Sequence, residues 1–438
     1  MGEETKKTSE KTLNGFQSLL LLVFIVCAVA VCIRLKTGGP MIGLFASWII
    51  VYVFCKVLKI NYDEVVGGAY DAIRVVVPTL CLLMAIGVMI GTWLQSGTIA
   101  TIIVGGLKMI NPTWLLPLTL IFCAVLSLVT GTSYGSAGSA GVAMMAIGNA
   151  MGINPGMVAG AVICGAMFGD KLSPLSDTTN LAPAVAGAKL SDHVRAMMWT
   201  TLPTFLISLV LFTILGISQT AGGYEMGDLG TYIQALEGEF HLGAVTLLPA
   251  VVIIVLLLCK VNSIVALGLS AFVAGLVSFF CQGNTLQSII RVAYNGYTTG
   301  IEDAVLKAIL NRGGMSSMMQ YVAIISFAVG MGGMLEKLGV LGNILKVITD
   351  RIHNDGTLIT ATLLVGYVTS LISCSQPMAH VLTGRLMAPI FKERGIAPEI
   401  LSRSLEDSGT LAGPMIPWHG YCVYMAGTLG MAWSAFFP

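Results

Sequence analysis

Two polar stretches, Thr130–Gly141 and Gly169–Asn180, interrupt long apolar runs of this sequence. The second stretch places Asp170, Lys171 and Asp177 among five further hydroxyl or amide side chains. Because hydrocarbon offers no water to such groups, irregular polar backbone at membrane depth has to pack inside protein or line a cavity. Ionisable side chains within a membrane are costly, and they mark ion pathways or proton relays. The two stretches therefore favour a transporter over other classes of membrane protein.

The composition supports a membrane protein and gives no support to a nucleic-acid partner. Of 438 residues, 55% are hydrophobic and 10% are charged, whereas soluble domains carry about 25% charged residues. The formal net charge of +1 provides no basic surface for nucleic acid. The ten cysteines have no CxxC spacing and no HExxH motif occurs, so we expect no structural metal and no resident cofactor.

Apolar segments of nearly membrane-spanning length follow one another along the chain, since a spanning helix needs about 20 apolar residues. Nine are good candidates: Gln17–Ile33, Met41–Leu58, Val75–Leu94, Trp114–Val129, His193–Ile217, Ala244–Val261, Ser263–Cys281, Met319–Leu335 and Thr357–Leu371. Five shorter or glycine-rich helical pieces lie between them: Thr98–Ile110, Ser139–Met151, Pro155–Phe168, Gln376–Ile390 and Leu411–Gly427. Interrupted helices of this kind are typical of transporter binding sites. We expect Asn61–Arg74 and Leu286–Ala308 to lie along the membrane surface.

An internal repeat is visible when the sequence is shifted by 243 positions. Residues Ser127–Pro174 then align with Ser370–Pro417 without gaps, and the nine identities include Gly and Pro at the breaks. The upstream helices pair in the same order, and the two copies begin on opposite sides of the membrane. Inverted repeats of this kind are common among secondary transporters. The alternative interpretation is a glycine-rich duplication without a function.

The predicted fold class is an all-α polytopic membrane protein. Two inverted-topology repeats bring broken-helix or re-entrant hairpins together at the membrane midplane. The predicted parts are a polar tail (1–16), a first repeat (17–217), an acidic linker (218–243) and a second repeat (244–438) that lacks a final helix. The linker has four acidic residues and no Lys or Arg, so we expect it outside the cytoplasm.

Hydroxyl and amide groups occupy matched places in the two copies. They are Thr130, Thr132 and Ser133 in the first copy, and Ser373, Ser375 and Gln376 in the second. Hydroxyls together with freed backbone carbonyls form a hard-oxygen shell that suits a small cation such as Na⁺. We predict that these groups form opposing hairpin tips in contact with the transported substrate. Alternatively, the hydroxyls cap helix ends or bond back to helix carbonyls.

The segment 131–135 also matches the GxSxG pattern of serine hydrolases, with His380 or His419 as the base. That motif requires a strand before the serine and a helix after it, whereas apolar helix surrounds it here. An intramembrane serine hydrolase is therefore an alternative that we disfavour, and we predict that the chain is not an enzyme.

Asp170 and Asp177 are the predicted sites of cation and proton coupling. A carboxylate beside a bound Na⁺ stays ionised, and without the cation its desolvation favours a bound proton. Exclusive occupancy by Na⁺ or H⁺ is sufficient for antiport when access alternates between the two sides. Lys171 is either a counter-charge for one of these acids or part of a structural salt bridge. We expect four neighbours to complete the substrate site, namely Ser173, Ser176, Thr178 and Asn180.

A second acidic pair, Glu406 and Asp407, lies in an apolar setting without acidic counterparts in the first copy. Acids of this kind are functional candidates, and we predict that both take part in coupling, with Thr410 in the substrate site. The alternative is a pair at the mouth of the protein that bonds to Arg403.

The sequence around Pro417 predicts an aromatic half-site. Trp418, His419 and Tyr421 stand where the first copy has smaller groups. Hard cations prefer oxygen ligands over imidazole, so this half-site suits a small organic acid or amino acid better than a bare ion. Packing is an equal explanation for Trp418.

The sequence resembles the NhaC family of Na⁺/H⁺ antiporters from Val75 onward. The resemblance rests on four strings: Thr130-Gly131-Thr132-Ser133, Gly169–Asn180, Leu405–Thr410 and Ile416-Pro417-Trp418. It implies a multi-pass secondary transporter of a prokaryotic inner membrane, with Na⁺ and H⁺ as its ions and a homodimer as one possible assembly. Some members exchange malate against lactate, and others carry amino acids, so the resemblance leaves the cargo open.

The sequence departs from the family pattern at two places. His419 replaces a small polar residue, which favours an additional organic cargo, and the expected final helix is missing. The main alternative function keeps the fold and changes the cargo to a metabolite, coupled to Na⁺ or H⁺.

Overall fold

The computed structural model describes residues 13–35, 40–221, 229–340, 342–343 and 354–436, which form helices joined by turns and contain no strand. The helices of the first half are α1 Gly15–Arg34, α2 Pro40–Leu58, α3 Tyr62–Gln95, α4 Thr98–Met109, α5 Pro112–Thr130, α6 Ser133–Ser136, α7 Val142–Ala150, α8 Pro155–Leu172, α9 Asp177–Ala186 and α10 Leu190–Ala221. Those of the second half are α11 Leu229–Glu239, α12 Leu248–Leu258, α13 Ser263–Cys281, α14 Leu286–Asn295, α15 Ala304–Leu310, α16 Met315–Lys337, α17 Asp355–Ser373, α18 Gln376–Glu393, α19 Pro398–Leu405 and α20 Gly420–Leu429.

Eight of the described helices are long and apolar enough to cross a membrane, or up to ten spans if each of two bent pairs counts as one. In the most apolar parts of α1 and α10, only 22% and 11% of the residues are buried within the protein. Apolar helices that stay this exposed within the protein need a hydrocarbon solvent, so α1 and α10 lie at the lipid boundary. The predicted all-α polytopic class is confirmed.

Helix α3 differs from the prediction at its start. The segment Asn61–Arg74 was expected to lie along the membrane surface, but it is continuous with the following span in one 34-residue helix. Asn61 caps this helix by accepting a hydrogen bond from the Asp63 amide at 3.1 Å. The helix continues without interruption past Arg74 and through Pro78. At 1.5 Å per residue it is about 51 Å long, longer than the hydrocarbon core.

Glycines allow α3 and α16 to pack backbone against backbone. A Cβ on Gly68 would lie 2.7 Å from the carbonyl oxygen of Gly333, and a Cβ on Gly333 would lie 2.2 Å from that of Gly68. Near the other end of the contact, the Gly314 amide donates to the Gly87 carbonyl at 2.7 Å. Small residues of this kind mediate close helix packing in membranes. They fix the wall behind the two breaks.

Each predicted break is shorter than expected. In the first, Gly131 and Thr132 separate α5 from α6, and the helix resumes through a π-helical turn, Ala137–Gly141. In the second, α8 continues to Leu172 and the break is the four-residue turn Ser173–Ser176, after which α9 is bent by 48°. The turn contains Pro174, which cannot donate a helical hydrogen bond. Asp170 and Lys171 therefore lie in the last helical turn and are not in the loop.

Left-handed residues recur at the 243-residue shift. Three pairs of residues related by this shift share a positive φ. They are Gly131 (70°) with Cys374 (57°), Gly152 (70°) with Gly395 (67°), and Gly187 (76°) with Gly430 (68°). Positive φ is uncommon outside glycine, so Cys374 shows that the position itself requires this backbone. The helix ends of the two copies therefore match, while the inverted orientation of the copies remains a prediction.

The connecting segments differ in part from the prediction. The predicted linker begins within α10 and contains helix α11, whose Glu237 pairs with Lys108 at 3.4 Å. Its acidic residues Glu225 and Asp228 lie outside the described residues. The expected surface helix over 286–308 is divided into α14 and the start of α15 by a non-helical segment, 296–303.

Candidate functional site

Asp170 is a buried carboxylate in the last turn of α8. Ser133 donates a hydrogen bond to Asp170 Oδ2 at 2.7 Å, because Thr132 caps α6 and directs its first residue toward α8. The Thr179 hydroxyl donates to the Asp170 carbonyl oxygen at 3.0 Å. The structure therefore brings the first predicted hairpin tip together with the first predicted acid.

A cluster of three tyrosines lies beside this carboxylate, with Tyr134 and Tyr421 next to Asp170 and Tyr424 packed behind Tyr134. Tyr134 packs edge-on against Tyr421 and Tyr424, with centroid distances of 5.2 Å and 4.5 Å. The Tyr424 hydroxyl donates to the Tyr134 carbonyl at 2.9 Å. The buried Tyr421 hydroxyl faces Ser133 and has no hydrogen-bond partner among the described residues. Sequence reasoning missed Tyr134 and Tyr424, although Tyr134 follows Ser133 directly and Tyr424 lies one helical turn after Tyr421.

Glu406 is a second buried carboxylate, and its side chain is inaccessible to solvent. It begins a π-helical turn, Glu406–Thr410, in which the Thr410 hydroxyl donates to Glu406 Oε2 at 2.6 Å. Because this hydroxyl donates its hydrogen bond to Glu406, it accepts a hydrogen bond from His380 Nε2 at 3.0 Å. His380 is thereby assigned the tautomer with its proton on Nε2. Glu406 Oε1 has no partner in the described part of the chain.

The second predicted hairpin tip lies beside this π-helical turn. Gln376 donates from Nε2 to the Thr410 carbonyl at 3.1 Å, and Ser373 donates to the Ser375 carbonyl at 3.2 Å. The buried Ser375 hydroxyl has no protein partner among the residues described. π-Helical turns are rare, and they often mark functional sites. Here the turn opens the helix next to Glu406.

A pair of hydroxyls connects the two buried carboxylates. Ser176 faces Asp170 and Thr178 faces Glu406. The two hydroxyls are hydrogen-bonded to each other at 3.1 Å. The carboxylates also interact with each other electrostatically. Asp170 and Glu406 therefore belong to one site, built from the break after α8 and the π-helical turn after α19.

Lys171 forms an ion pair with Asp407, with Nζ and Oδ1 2.7 Å apart. The Lys171 side chain is 4% exposed and that of Asp407 is 19% exposed. Of the two alternatives for Lys171, this is the structural salt bridge and not a counter-charge for Asp170 or Asp177. Asp407 pairs with Lys171 and not with Arg403, the alternative partner of the second acidic pair. Successive residues of a helix point about 100° apart, so Lys171 and Asp407 turn away from the site that their neighbours line.

The charges of the site do not balance. Asp170, Glu406 and Asp407 are three acids, and Lys171 is the single basic side chain found among them in the described chain. With all four ionised, the cluster carries a net charge of −2. Uncompensated buried charge is unstable, so the site favours monovalent cations or protons as partners of Asp170 and Glu406.

Asp177 and Asn180 do not join this site. Both are exposed on α9, and the Asn180 amide donates to the carbonyls of Pro174 and Ser176 at 2.9 Å and 2.7 Å. Asn180 therefore braces the turn that contains Pro174. Ser173 also serves this turn, since its hydroxyl accepts from the Leu175 amide at 3.3 Å.

The predicted aromatic half-site is divided. Trp418 donates from Nε1 to the Leu371 carbonyl at 3.2 Å and lines an apolar cavity next to α1. His419 caps α20 by accepting from the Tyr421 amide at 3.0 Å, which leaves its buried Nε2 without a partner among the described residues. Tyr421 joins the Asp170 site, away from Trp418. Thr130 also has a buried hydroxyl without a described partner.

Comparison with known proteins identifies the family of the chain. A model of the Na⁺/H⁺ antiporter family matches residues 165–435, which include both buried carboxylates. The chain belongs to this Na⁺/H⁺ antiporter family. The Na⁺/H⁺ antiporter NhaC of Alkalihalophilus pseudofirmus is 34% identical over 96% of the chain and 91% of that protein.

Other relatives of the chain are named for the exchange of organic substrates. The malate-2H⁺/Na⁺-lactate antiporter of Bacillus subtilis is 34% identical over 91% of the chain and 85% of its own length. The arginine/ornithine antiporter ArcD of Halobacterium salinarum is 32% identical over 86% and 78%. By its family, the protein is a secondary antiporter of the bacterial cell membrane, and Na⁺ as a transported or coupling ion is consistent with that family.

Membership of this family excludes the hydrolase alternative, because these proteins are transporters. The contacts agree with that conclusion. Ser133 donates its proton to Asp170, while His380 bonds Thr410 and His419 caps a helix. Neither imidazole is positioned as a base for the serine.

Proposed function

We propose that Asp170 and Glu406 carry the exchange of Na⁺ against protons. The observation that carries this proposal is the pair of buried carboxylates, connected by Ser176 and Thr178, in a cluster with an excess negative charge. Burial penalises each bare carboxylate, so each is stabilised by a cation or by a proton. Na⁺ and H⁺ then exclude one another from the site, which is the requirement for antiport.

The residues around Asp170 suit Na⁺ as a ligand. Hard cations take oxygen ligands, and Ser133, Ser176 and the free Tyr421 hydroxyl supply oxygens next to this carboxylate. In the described chain, no group of three or more His, Cys, Asp or Glu is arranged to hold a metal ion. We propose that the oxygens beside Asp170 bind a hard monovalent cation, with Glu406 as the second acid.

The second hairpin tip gives Glu406 a path to the same cargo. The free oxygens Glu406 Oε1 and Ser375 Oγ are both buried without described partners. A cation or a proton that reached Glu406 would satisfy Oε1. We propose that the two copies of the predicted inverted repeat move against each other, so that this pair of acids opens to one side of the membrane at a time.

We also propose a small organic acid or amino acid as a second cargo. Tyr421 and His419, at the start of α20, each have one buried polar atom without a described partner, and Tyr421 lies beside Asp170. A bare Na⁺ has little use for an imidazole nitrogen, whereas a carboxylate accepts hydrogen bonds from both groups. The exchange of malate against lactate and of arginine against ornithine by two relatives supports an organic cargo.

Exchange in everted membrane vesicles tests the main proposal. We expect Asp170→Asn and Glu406→Gln each to abolish Na⁺-dependent proton movement, because neither amide binds or releases a proton. Glu237→Gln is the matched control, since Glu237 is an acid at the surface. Full exchange in either buried variant would contradict the proposal.

Asp177→Asn in the same vesicles compares two pairings of acids. The sequence predicts four coupling acids, with Asp170 and Asp177 first and Glu406 and Asp407 as a second pair, whereas the geometry supports Asp170 with Glu406. Retained exchange in Asp177→Asn, together with loss in Glu406→Gln, supports the second pairing.

A further inference from the structure

A separate cavity of about 700 Å³ lies between the predicted repeats. Its walls come from α3, α7, α8, α15, α16 and α20, and neither Asp170 nor Glu406 lines it. Arg312 lies in the turn between α15 and α16 and contributes a guanidinium to this cavity. Asn149, Ser317, Gln320 and Tyr321 add polar side chains to the lining. The volume is in the range of small-molecule sites.

The guanidinium of Arg312 has no acidic partner in the described chain. Its Nη2 donates to the Thr428 carbonyl at 3.4 Å. It also lies against the end of α20, since a Cβ on Gly430 would approach Nη2 to 2.3 Å. A helix C-terminus offsets about half a positive charge. A guanidinium has five N–H donors, so a single described acceptor leaves most of them available to the cavity.

Two further polar groups of this region lack partners. Asn149 Oδ1 lines the cavity and is buried without a hydrogen bond among the described residues. The Thr428 hydroxyl, next to the carbonyl that Arg312 contacts, is also buried and unpartnered. Buried polar groups are normally hydrogen-bonded. An arginine without an acidic partner and a buried amide oxygen without a hydrogen bond, both on residues that line the cavity, point to a missing polar ligand.

Tyr297 connects Arg312 of the cavity with the predicted extracytoplasmic linker. The Tyr297 amide donates to the Arg312 carbonyl at 3.0 Å, and its hydroxyl donates to Glu239 at 2.6 Å. Glu239 ends α11 of the linker. Arg312 is therefore held by the linker side of the protein, where a ligand from outside would arrive first.

Helix α20 connects the cavity with the Asp170 site. Gly427 contributes to the cavity wall, and a Cβ there would lie 2.9 Å from the Tyr321 ring. Tyr424 and Tyr421 precede Gly427 on the same helix, and Tyr421 faces Ser133 beside Asp170. A ligand in the cavity is thus one helix length away from the coupling acid.

We infer that this cavity binds a carboxylate group of a small organic anion, with Arg312 as its charged partner. The guanidinium fork matches a carboxylate in a bidentate manner, and the Asn149 amide donates a further hydrogen bond after rotation of its terminal group. Tyr321 provides an apolar wall for the carbon chain of the ligand. The inference rests on the proposed organic cargo and gives it an entry site.

Thermal stabilisation of the purified full chain by sodium L-malate and sodium L-lactate tests this site. Sodium chloride at the same Na⁺ concentration is the reference, so that stabilisation by Na⁺ cancels. We expect at least one of the two carboxylates to raise the melting temperature of the wild type in a saturable manner. A response equal to that of chloride for both would overturn the inference.

Variants assign the effect to Arg312. Arg312→Gln should raise the apparent Kd for that carboxylate at least tenfold, and Arg312→Lys should lie between, because it keeps the charge and loses the fork. Arg291→Gln is the matched control, since Arg291 is an exposed arginine of α14 outside the cavity lining. An unchanged Kd in Arg312→Gln would refute the site.

A second variant covers the case in which Arg312→Gln does not fold. Correct folding of each variant is checked by a monodisperse elution and a cooperative melt. Asn149→Leu removes the unpartnered amide and should raise the same Kd severalfold, whereas an unchanged Kd would contradict the site. Wild-type Na⁺-dependent proton movement is measured in parallel without carboxylate. Intact exchange with no carboxylate binding refutes this site alone, and lost exchange with intact binding refutes the proposed ion coupling instead.

Discussion

Neighbouring charged residues of this antiporter point in different directions and have different partners. Asp170 faces Ser133 within the site, while Lys171, the next residue of α8, pairs with Asp407. Glu406 bonds Thr410, and Asp407 turns to the ion pair. Successive residues of a helix point about 100° apart, so the two neighbours in each pair contact different partners. A structural ion pair thus lies directly beside the exchangeable acids, and the two can be perturbed separately.

The ion pair gives a stability prediction. Removing one partner of a buried pair leaves the other uncompensated and costs about 3–5 kcal/mol, and we expect the low end because Asp407 is partly exposed. Lys171→Met should therefore lower the melting temperature of the purified protein clearly. The double variant Lys171→Met/Asp407→Leu should recover most of that loss, since apolar replacement of both partners is often close to neutral. A double variant no more stable than Lys171→Met would contradict the assignment of this pair.

The sequence identified both buried acids as candidates but could not assign their partners. Asp170 and Glu406 stand out because an acid in an apolar run is rare. The pairing of Lys171 with Asp407 joins residues 236 positions apart, and no local pattern encodes such a contact. The exposure of Asp177 depends on the direction of the bend after Pro174, and the local sequence does not encode that direction.

At the scale of elements, glycines hold α3 against α16. Gly68 and Gly333 approach so closely that neither has room for a methyl group. Gly67, the preceding residue of the same helix, has no atom within 4 Å of a Cβ position. Helix α16 also contributes to the Arg312 cavity, so this contact sets the position of one of its walls.

The contrast between the two glycines predicts opposite effects of the same substitution. Gly68→Ala should lower the melting temperature, because a Cβ 2.7 Å from a backbone oxygen forces the helices apart, and overpacking costs about 1–3 kcal/mol. Gly67→Ala should leave it unchanged or raise it, since alanine is the better helix former by about 1 kcal/mol. Equal melting temperatures for the two variants would argue against this helix contact.

Apolar runs predicted the existence of the helices better than their ends. Helix α4 was expected at Thr98–Ile110 and spans Thr98–Met109. The polar string after Gly169 was read as a loop throughout, although its first residues complete α8 before Pro174 ends it. Polar residues at the end of a helix and in a loop look alike in sequence, so the boundary is set by tertiary packing.

At the scale of the whole molecule, two chain breaks supply one site. The turn after α8 contributes Ser176, the first turn of α9 contributes Thr178, and the π-helical turn after α19 contributes Glu406. Matched left-handed helix ends accompany the predicted repeat in both halves. The inverted orientation of the repeats and a homodimeric assembly remain predictions.

The central claim is that Na⁺ and protons compete for Asp170 and Glu406. It is tested most directly by counting the protons that the purified protein releases into a weakly buffered solution when Na⁺ is added. The titration is repeated over a range of pH with the wild type, with Asp170→Asn/Glu406→Gln and with the surface control Glu237→Gln. Binding of Na⁺ is followed in parallel by calorimetry.

We predict that the wild type and the control release protons on Na⁺ binding, and that the apparent Kd for Na⁺ rises as the pH falls, because protons occupy the same carboxylates. The double variant should release none and should bind Na⁺ at least tenfold more weakly, a loss of about 1.4 kcal/mol or more. Proton release of wild-type size from the double variant, or Na⁺ binding to the wild type with no dependence on pH, would contradict the account.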